Sequence, residues 1–558
     1  MIEQKGIKNK NIHKKEFLGA HPVIQFFIDK LRIRETISSL IKQDERLAIP
    51  VEKMLCVLIH NILTSPCPMY ELSDWIAPLS EDVLGLNQGD ISLINDFRMG
   101  GALDSFYKGK NKEVFFRLAL RAIKTFELKC NNMNQDTTTI TLSGRYEDWD
   151  AKEKLTYGKN KDHRPDLKQV VLGMTVTGDG AVPLIHQVYD GNQSDSTLHV
   201  PNYERIMKLL GNNDFIYIAD SKLASEDNLN KISSYNGKFI TIMPRTWKED
   251  LEFKKLVKNK KVMWKFILSL KNSRRPVSFV DTYSIAVGDY KSSQGYRLLW
   301  IKSSQKKAQD KATRETNIEK CLEDLSLLRL KLNQRNLKTK ENINETIVQF
   351  LKKRNCIGLI EFEINGSREY KKSYSGKGRP KSGQSSSVTW KELYSISFQE
   401  NHDGIKENEL IDGIFPLITN LSEETSSKKI LETYKGQAFL EKRHSQLKTW
   451  QVLTPALFKK GTRVVSYIHM NVMALMVATL IERTIRKSMK KNKIEKLAIY
   501  PDGKECKHPT LYGIVRLFRD VERYEIETNK EKIYFPAKLD KTQKQVLSLL
   551  DVPQSMYQ

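Results

Sequence analysis

The stretch DTTTITL (136–142) decides the fold class, because the spacing of apolar residues changes there. It alternates and is rich in β-branched residues, which is typical of a strand. Upstream, segments such as VEKMLCVLIHNIL have apolar residues at helical spacing. We therefore predict an all-helical N-terminal domain over residues 1–128, followed by a sheet.

The chain after this stretch alternates between strands and helices. Two further strands are predicted in KQVVLGMTV and VPLIHQVY, with the turn TGDGA between them. A helix, NYERIMKLL, leads to the short apolar run DFIYIAD (214–220), which is typical of a buried strand. A helix capped by Ser225 and the strand KFITIM (238–243) follow. The order predicts an α/β sheet over 129–245 whose first three strands form an antiparallel meander.

Residues 246–410 interrupt this pattern and are predicted to be an inserted β-rich subdomain. Its segment 303–353 has apolar residues spaced like a helical hairpin or a short coiled coil, and the loop KKSYSGKGRPKSGQSSS follows. In that loop, Lys377, Arg379 and Lys381 fit a DNA minor groove or a solvated basic loop. Trp264 and Trp300 fit stacking on a base or ordinary core packing. Residues 411–490 return to the sheet domain, and 491–558 are predicted to be a basic C-terminal tail.

The composition favours a polyanionic partner. Lys and Arg number 92 against 67 Asp and Glu, so the formal net charge is +25. Such an excess suits nucleic acid, since each neutralised phosphate releases counterions, although a Lys-rich proteome produces part of it as well. No glycine-rich nucleotide-binding loop is present in the sequence, so no nucleotide cofactor is expected.

The cysteines and the apolar segments bound the location. Six cysteines without a C-x-x-C pair argue against zinc and a disulfide framework and favour a cytoplasmic protein. The start, MIEQKGIKNKNIHKK, is not a signal peptide because no apolar run follows its charges. The apolar run VVSYIHMNVMALMVATLI (464–481) fits a helix buried against the sheet better than a membrane span. No membrane partner is expected.

Three carboxylates are candidates for the chemistry. Asp136 lies on the first predicted strand, Asp220 ends the buried strand, and Glu441 lies on a later helix. We expect them to surround one small space, where they would repel one another without a cation. Oxygen-only ligation suits Mg²⁺ or Mn²⁺, and two such ions support an in-line phosphoryl displacement.

The segment ETYKGQAFLEKRHSQLKTW (432–450) is predicted to be one helix. At about 100° per residue, Tyr434, Gln437, Glu441 and Lys448 fall on a stripe roughly 60° wide. By itself, such a stripe also fits a solvated helix face without a function.

These residues resemble DDE transposases of bacterial insertion sequences, in the insertion-sequence-four group with the signature Y-x2-R-x3-E-x6-K. The resemblance also covers DTTTITLSG, KDHRPDLKQVVLGMTV, GNQSD, IADSKLA and DGIFPLITN. It implies a ribonuclease-H-like catalytic domain with the β-rich insertion placed before the glutamate. It implies Asp136, Asp220 and Glu441 as the catalytic and metal-binding triad, with Tyr434 and Lys448 contacting the DNA end.

The resemblance further implies double-stranded DNA as partner, at the element ends and at the target, and a homodimer when active. The helical domain is expected to bind the ends. Two alternatives stay open: a metal-dependent nuclease on the same fold, and a non-catalytic DNA-binding inhibitor of transposition.

Several motif positions depart from the signature or lack a role. The signature arginine is Gln437, whose amide brings no charge, and His444 on the same helix is a candidate to supply some. Asp162, Asp166 and Asp195 are motif residues without a derived role, and Asp162 and Asp166 fit salt-bridged structural carboxylates. His163 between the first two fits a general base less well, because a metal-bound water does not need one.

Overall fold

The protein is described here by a computed structural model, which covers residues 12–42, 47–161, 164–271, 280–374, 379, 382, 385–449, 458–500, 503–527 and 532–558. The chain forms two compact units. Unit 1 is Met1–Thr241, Asn420–Glu423 and Lys429–Gln558, and unit 2 is Ile242–Thr419 and Glu424–Lys428. The compact units therefore do not separate residues 1–128 from the strands that follow them.

The N-terminal part of unit 1 is mostly helical. Its elements are β1 (Ile12–Phe17), α1 (His21–Leu31), α2 (Ile33–Leu40), α3 (Val51–Thr64), α4 (Leu72–Ile76), α5 (Asp96–Lys108) and α6 (Asn111–Phe126). The prediction of an all-helical segment is wrong at β1, which pairs antiparallel with residues 522–527. A strand whose partner lies at the other end of the chain leaves no local signal in the sequence.

The mixed sheet of unit 1 follows the predicted order of strands and helices. Its elements are β2 (Asn132–Leu142), β3 (Lys168–Thr177), β4 (Pro183–Tyr189), α7 (His199–Leu210), β5 (Ile216–Ile218), α8 (Glu226–Ser234) and β6 (Lys238–Ile242). The strands are ordered β4-β3-β2-β5-β6. The β2-β3-β4 meander is antiparallel, as predicted, and β2, β5 and β6 are parallel neighbours. Ser225 caps α8, also as predicted, by accepting a hydrogen bond from Asn228 N.

Unit 2 combines a second antiparallel set of strands with a helical hairpin and a long ribbon. Its elements are α9 (Lys248–Lys258), β7 (Trp264–Lys271), β8 (Val280–Ala286), β9 (Tyr290–Lys291), β10 (Arg297–Ser303), α10 (Ser304–Arg329), α11 (Lys340–Lys353), β11 (Ile360–Tyr374), β12 (Ser386–Glu400), α12 (His402–Glu409) and β13 (Ile414–Thr419). β13, β10, β8 and β7 are neighbours in that order, β9 pairs with β10, and β11 pairs with β12.

The core of unit 2 tests two interpretations made from the sequence, which concern the helices of segment 303–353 and the role of Trp300. Ile318, Leu325 and Ile347 are buried between α10 and α11, which confirms the helical hairpin. Trp300 is 1% exposed, and its ring stacks on Phe253 with centroids 3.9 Å apart. Trp300 is therefore a core residue and is not free to stack on a base.

The C-terminal part of unit 1 closes the fold. Its elements are α13 (Ser427–Lys435), α14 (Ala438–Thr449), α15 (Gly461–Lys491), α16 (Leu511–Leu517), β14 (Glu522–Glu527), β15 (Lys532–Phe535) and α17 (Lys541–Leu550). The apolar window of α15 is long enough to cross a membrane, but all of it is buried inside the protein. Its apolar side chains are therefore used by the core, as predicted.

Residues after 491 pack with the rest of unit 1, which differs from the predicted tail. β14 lies between β1 and β15 in one sheet. The buried Arg523 donates from Nε to Glu16 Oε2 at 2.7 Å and from Nη2 to Asp82 Oδ1 at 2.8 Å. The two ends of the chain are thereby held together.

Candidate active site

The register of two neighbouring parallel strands places Asp136 and Asp220 side by side. β2 pairs with β5, and Asn134 lies opposite Ile218. Each aspartate follows two positions after that pair, and residues two positions apart on a strand point to the same face. Neighbouring strands lie about 4.8 Å apart. The two carboxyl groups therefore share one face of the sheet where β5 ends.

Asp136 is contacted by groups from three parts of unit 1. Thr137 N donates to Asp136 Oδ1 at 2.7 Å, and Lys161 Nζ lies 3.4 Å from the same oxygen. His444 Nε2 lies 3.9 Å from Oδ2. Burial lowers the pKa of His444 to about 3, so this ring is neutral and does not supply the charge suggested from the sequence.

Asp220 is held by the backbone around it. Lys222 N donates to Asp220 Oδ1 at 3.0 Å. The hydroxyl of Thr241, on β6, donates to the main-chain oxygen of Asp220 at 2.6 Å. These bonds fix the turn that follows β5.

The two aspartates carry more negative charge than their surroundings balance. Burial raises the pKa of Asp136, against the opposing effect of the Lys161 ammonium. Burial also raises the pKa of Asp220, against the hydrogen bond from Lys222 N, and the charges of Asp136 and Asp195 raise it further. An additional cation at this place would relieve the repulsion among these carboxylates.

Asp195 belongs to the same site, although the sequence suggested no role for it. It begins the short 3₁₀ turn Asp195–Leu198, and Thr137 Oγ1 donates to Asp195 Oδ1 at 2.7 Å. Its position in the motif GNQSD was the available signal. The hydrogen bond ties this carboxylate to the residue that follows Asp136.

Lys161 is a site residue that the sequence did not suggest. Its ammonium donates to the Thr137 carbonyl and, at 3.1 Å, to the Thr137 hydroxyl, in addition to its contact with Asp136. It thus supplies a positive charge beside the aspartate pair. The neighbouring Asp162 and His163 lie outside the described residues. Asp166 forms an exposed ion pair with Arg164, Oδ2 to Nη2 2.7 Å, which agrees with the structural interpretation.

The predicted single helix over 432–450 is wrong, because it breaks at Gly436. α13 ends at Lys435 and α14 begins at Ala438. Between them Gly436 N bonds to Thr433 O, and Gln437 N bonds to Tyr434 O. Each of these bonds joins residues three positions apart, as in a tight turn. Glycine has a low helix propensity, which favours the break. Tyr434 and Glu441 therefore lie on different helices, and the proposed stripe is not continuous.

Tyr434 nevertheless faces the carboxylates. It is half-buried, and burial followed by the charges of Asp220, Glu441 and Asp136 raises the pKa of its phenol. All three carboxylates therefore act on one phenol, which stays protonated at neutral pH. A protonated phenol is able to donate a hydrogen bond to an anion.

The other members of the proposed stripe differ in exposure. Gln437 is buried, Glu441 is exposed and Lys448 is half-buried. α14 packs through Leu440, Arg443, His444 and Leu447. Lys448 follows His444 by four residues and therefore lies on the same side of α14, one turn along.

The described part of the chain contains no group of three or more His, Cys, Asp and Glu side chains arranged to hold a metal ion. At most a pair of the predicted ligands is therefore together in this conformation, and the register identifies that pair as Asp136 and Asp220. Glu441 as the third ligand stays a prediction. The donor types themselves fit a hard divalent cation, because all are carboxylates.

The basic loop of unit 2 is covered only in part. Arg379 is exposed. Lys377 and Lys381 lie outside the described residues, so their DNA-binding roles stay predictions.

A family model described as "Domain of unknown function (DUF4277)" matches residues 13–120. No curated protein matches the chain. Among solved structures, the chain is similar to a piggyBac transposase synaptic complex with hairpin DNA, determined by cryo-EM, with 10% sequence identity and a TM-score of 0.28. The alignment covers 59% of this chain and 66% of the other, just under two thirds of that protein's length. A likeness this distant does not transfer fold or function, so the proposal below rests on the residues described above.

Proposed function

We propose that this chain is a transposase that binds the terminal inverted repeats of an insertion sequence, cleaves the DNA there and transfers the strands to target DNA. One observation carries the proposal: Asp136 and Asp220 each follow by two positions the paired residues Asn134 and Ile218 of neighbouring parallel strands, and the charges of both act on the phenol of Tyr434. The resemblance in sequence and the net charge of +25 support it.

Asp136, Asp220 and Glu441 would hold Mg²⁺ or Mn²⁺, and Asp195 is a further candidate beside the pair. Two bound ions would supply the positive charge that activates a water or a 3′-hydroxyl and stabilises the leaving oxygen. The chain's own residues prepare the site. Lys161 keeps a positive charge next to Asp136, and the sheet holds both aspartates in place.

The groups around the carboxylates would orient the DNA end. The protonated phenol of Tyr434 would donate a hydrogen bond to a phosphate oxygen, and Lys448 would contact a phosphate near the cut. Gln437 is able to donate a hydrogen bond but adds no charge where the signature has arginine. Joining two element ends in one event requires two active sites, so we propose a homodimer on double-stranded DNA as the active form.

Labelled DNA carrying the inverted repeats that flank the gene tests the proposal in one gel assay. Joined products with Mg²⁺ support the transposase. Cut products without joining would favour the alternative of a nuclease on this fold. Binding without cutting would favour the non-catalytic inhibitor of transposition.

A further inference from the structure

Unit 2 contains a two-stranded ribbon that is longer than its own core requires. β11 and β12 pair antiparallel without interruption from Ile360 opposite Glu400 to Tyr374 opposite Ser386. At about 3.4 Å per residue, such a ribbon extends roughly 50 Å. In the described residues, only the half nearest the helical hairpin packs against other elements of this unit.

The two faces of the ribbon differ near the hairpin. Residues with even numbers point to one face, and there Phe362, Ile364, Ile396 and Phe398 pack on the core between α10 and α11. The opposite face has the polar residues Glu361, Glu363, Asn365, Ser395, Ser397 and Gln399. The even-numbered face is therefore the packing face of this ribbon.

The packing face continues beyond the hairpin without a cover. Tyr370 is 60% exposed and Trp390 65%, although the two are cross-strand partners with ring centroids 5.6 Å apart. Tyr374 and Val388 on the same face are also exposed. Exposed aromatic side chains grouped on one face mark an interaction surface. We call these four residues the ribbon face.

The charge around the ribbon face selects its partner. Arg368 and Lys372 share this face with Glu392, which lies 3.4 Å from Arg368 and offsets its charge, so Lys372 keeps this part of the face positive. The sequence that joins the strands, 375–385, contains three Lys or Arg and no Asp or Glu. Two such ribbons from two copies of the chain would repel each other, whereas a polyanion would be attracted.

The shape of the ribbon favours a duplex over a single strand. A two-stranded ribbon fits the major groove, which is about 12 Å wide and has phosphates along both walls. Proteins that bind single strands present a concave basic groove, and a protruding ribbon is the opposite shape. Exposed aromatic and aliphatic side chains contact sugars and thymine methyl groups in a groove.

We propose that the ribbon face binds double-stranded DNA by entering the major groove. The inference rests on the proposed function in taking DNA as the partner, and it adds a surface on unit 2 that is separate from the carboxylates. Arg368 and Lys372 contact the phosphates that flank Tyr370 and Trp390.

A photo-crosslinking experiment on the full-length protein identifies the occupant. Trp390→p-benzoylphenylalanine places the probe on the ribbon face, and Thr389→p-benzoylphenylalanine places it on the opposite face as a matched control. With labelled duplex DNA, we expect a protein–DNA product at position 390 and several-fold less at 389. A product between two protein chains, a product only with single-stranded DNA, or none at 390 would each overturn the inference.

Affinity gives an independent measurement. The double substitution Tyr370→Ala with Trp390→Ala should weaken duplex binding about tenfold or more, as expected for aromatic side chains that become buried on binding. The control is Lys371→Ala with Lys391→Ala on the opposite face, which we expect to weaken binding less. Equal effects of the two double variants would contradict a role for the ribbon face.

The outcome is separable from that of the proposed function. Crosslinking does not require cleavage, so the Asp136→Ala protein should crosslink as the unsubstituted protein does. A chain that crosslinks at 390 but never cuts DNA would support this inference and contradict the proposed transposase function. A chain that cuts and joins DNA without the crosslink removes this inference alone.

Discussion

Arg443 Nη1 lies 2.8 Å from Glu482 Oε2 and joins α14 to α15 through an ion pair in which both side chains are buried. Arg443 also donates to Gly180 O at 3.1 Å, and Glu482 accepts from Leu511 N at 3.1 Å. The helix that carries Glu441 and Lys448 is thereby fixed to the core. Sequence analysis did not identify this pair, because an arginine on a charged helix is ordinarily solvated.

Arg443→Ala should lower the free energy of unfolding by about 3 kcal/mol, because breaking a buried pair leaves an uncompensated charge. Arg486 still pairs with Glu482 at 3.3 Å, which keeps the loss at the lower end of the usual range. Urea unfolding measures it. Arg164→Ala, which removes the exposed pair with Asp166, is the control and should leave the free energy of unfolding unchanged. Equal effects of the two variants would show that the buried pair does not anchor α14.

Single substitutions of Asp136, Asp220 and Glu441 by Ala should each lower DNA cleavage about 10³-fold or more. The three residues act as one unit, so removal of any one of them removes most of the effect of all three. Binding of the DNA ends should change little, since these groups hold metal and not DNA. Cleavage of labelled ends and a binding gel measure both. Asp166→Ala removes an exposed carboxylate and should keep full activity. Near-normal cleavage by any of the three variants removes that residue from the triad.

Lys448→Ala should weaken binding of the DNA end and lower the slope of log affinity against log salt by about one unit, as for one phosphate contact. The measurement is a salt titration of binding. Lys490→Ala, at the exposed end of α15, is the matched control and should leave the slope unchanged. An unchanged slope for Lys448→Ala would show that this residue belongs to an ordinary solvated helix face and does not contact DNA.

The sheet that carries the aspartates could be predicted because its signals are local. β-branched alternation marked β2, a short apolar run marked β5, and Ser225 marked the start of α8. Asp136 and Asp220 followed from their positions on those strands. Lys161 could not be identified, because its approach to Asp136 depends on a loop whose course has no periodic pattern.

Three features escaped prediction. β1 depends on a partner at residues 522–527, at the other end of the chain. The break at Gly436 agrees with the low helix propensity of glycine, which the prediction of one helix did not take into account. The third is the ribbon, where the predicted loop begins with Lys371 although β11 runs to Tyr374. Polar and glycine-rich composition indicates a loop, while cross-strand pairing extends the strands into it. At β1 and in the ribbon, pairing between strands therefore overrides local propensity.

Asp220→Asn should raise the melting temperature of the metal-free protein at pH 7. The pKa of Asp220 is raised from its ordinary value of 3.8, so the folded state holds the proton more tightly than the unfolded state. At pH values above 3.8 the ionised carboxyl therefore destabilises the fold, and an uncharged isostere removes this destabilisation. The gain should shrink as the pH falls toward 4, which calorimetry across pH measures. The control is Asp214→Asn, because the hydrogen bond from Lys238 lowers the pKa of Asp214 and this substitution should give no gain. A gain at pH 7 that persists unchanged at pH 4 would not come from ionisation.

The N-terminal segment is bound to the rest of unit 1 by contacts that a separate domain would not make. Arg463 Nη2, on α15, pairs with Asp104 Oδ2 at 2.7 Å, and the hydroxyl of Ser466 donates to Leu103 O at 2.9 Å. At the far end of α15, Arg483 Nη1 donates to Phe126 O at 2.9 Å.

Deletion of residues 1–125 should therefore unfold the catalytic sheet as well as remove DNA-end recognition. The deletion exposes the apolar side of α15 and leaves β14 without its partner β1, and exposed apolar surface of this extent favours aggregation. The truncated chain should be insoluble or should lack a cooperative unfolding transition in circular dichroism. A control deletion of 367–393, which removes the distal part of the ribbon in unit 2, should keep a cooperative transition because the described residues of that part do not belong to the core of unit 2. A truncated chain that unfolds cooperatively would show that residues 1–125 are an independent domain after all, and binding of its own DNA ends would then show whether recognition lies elsewhere.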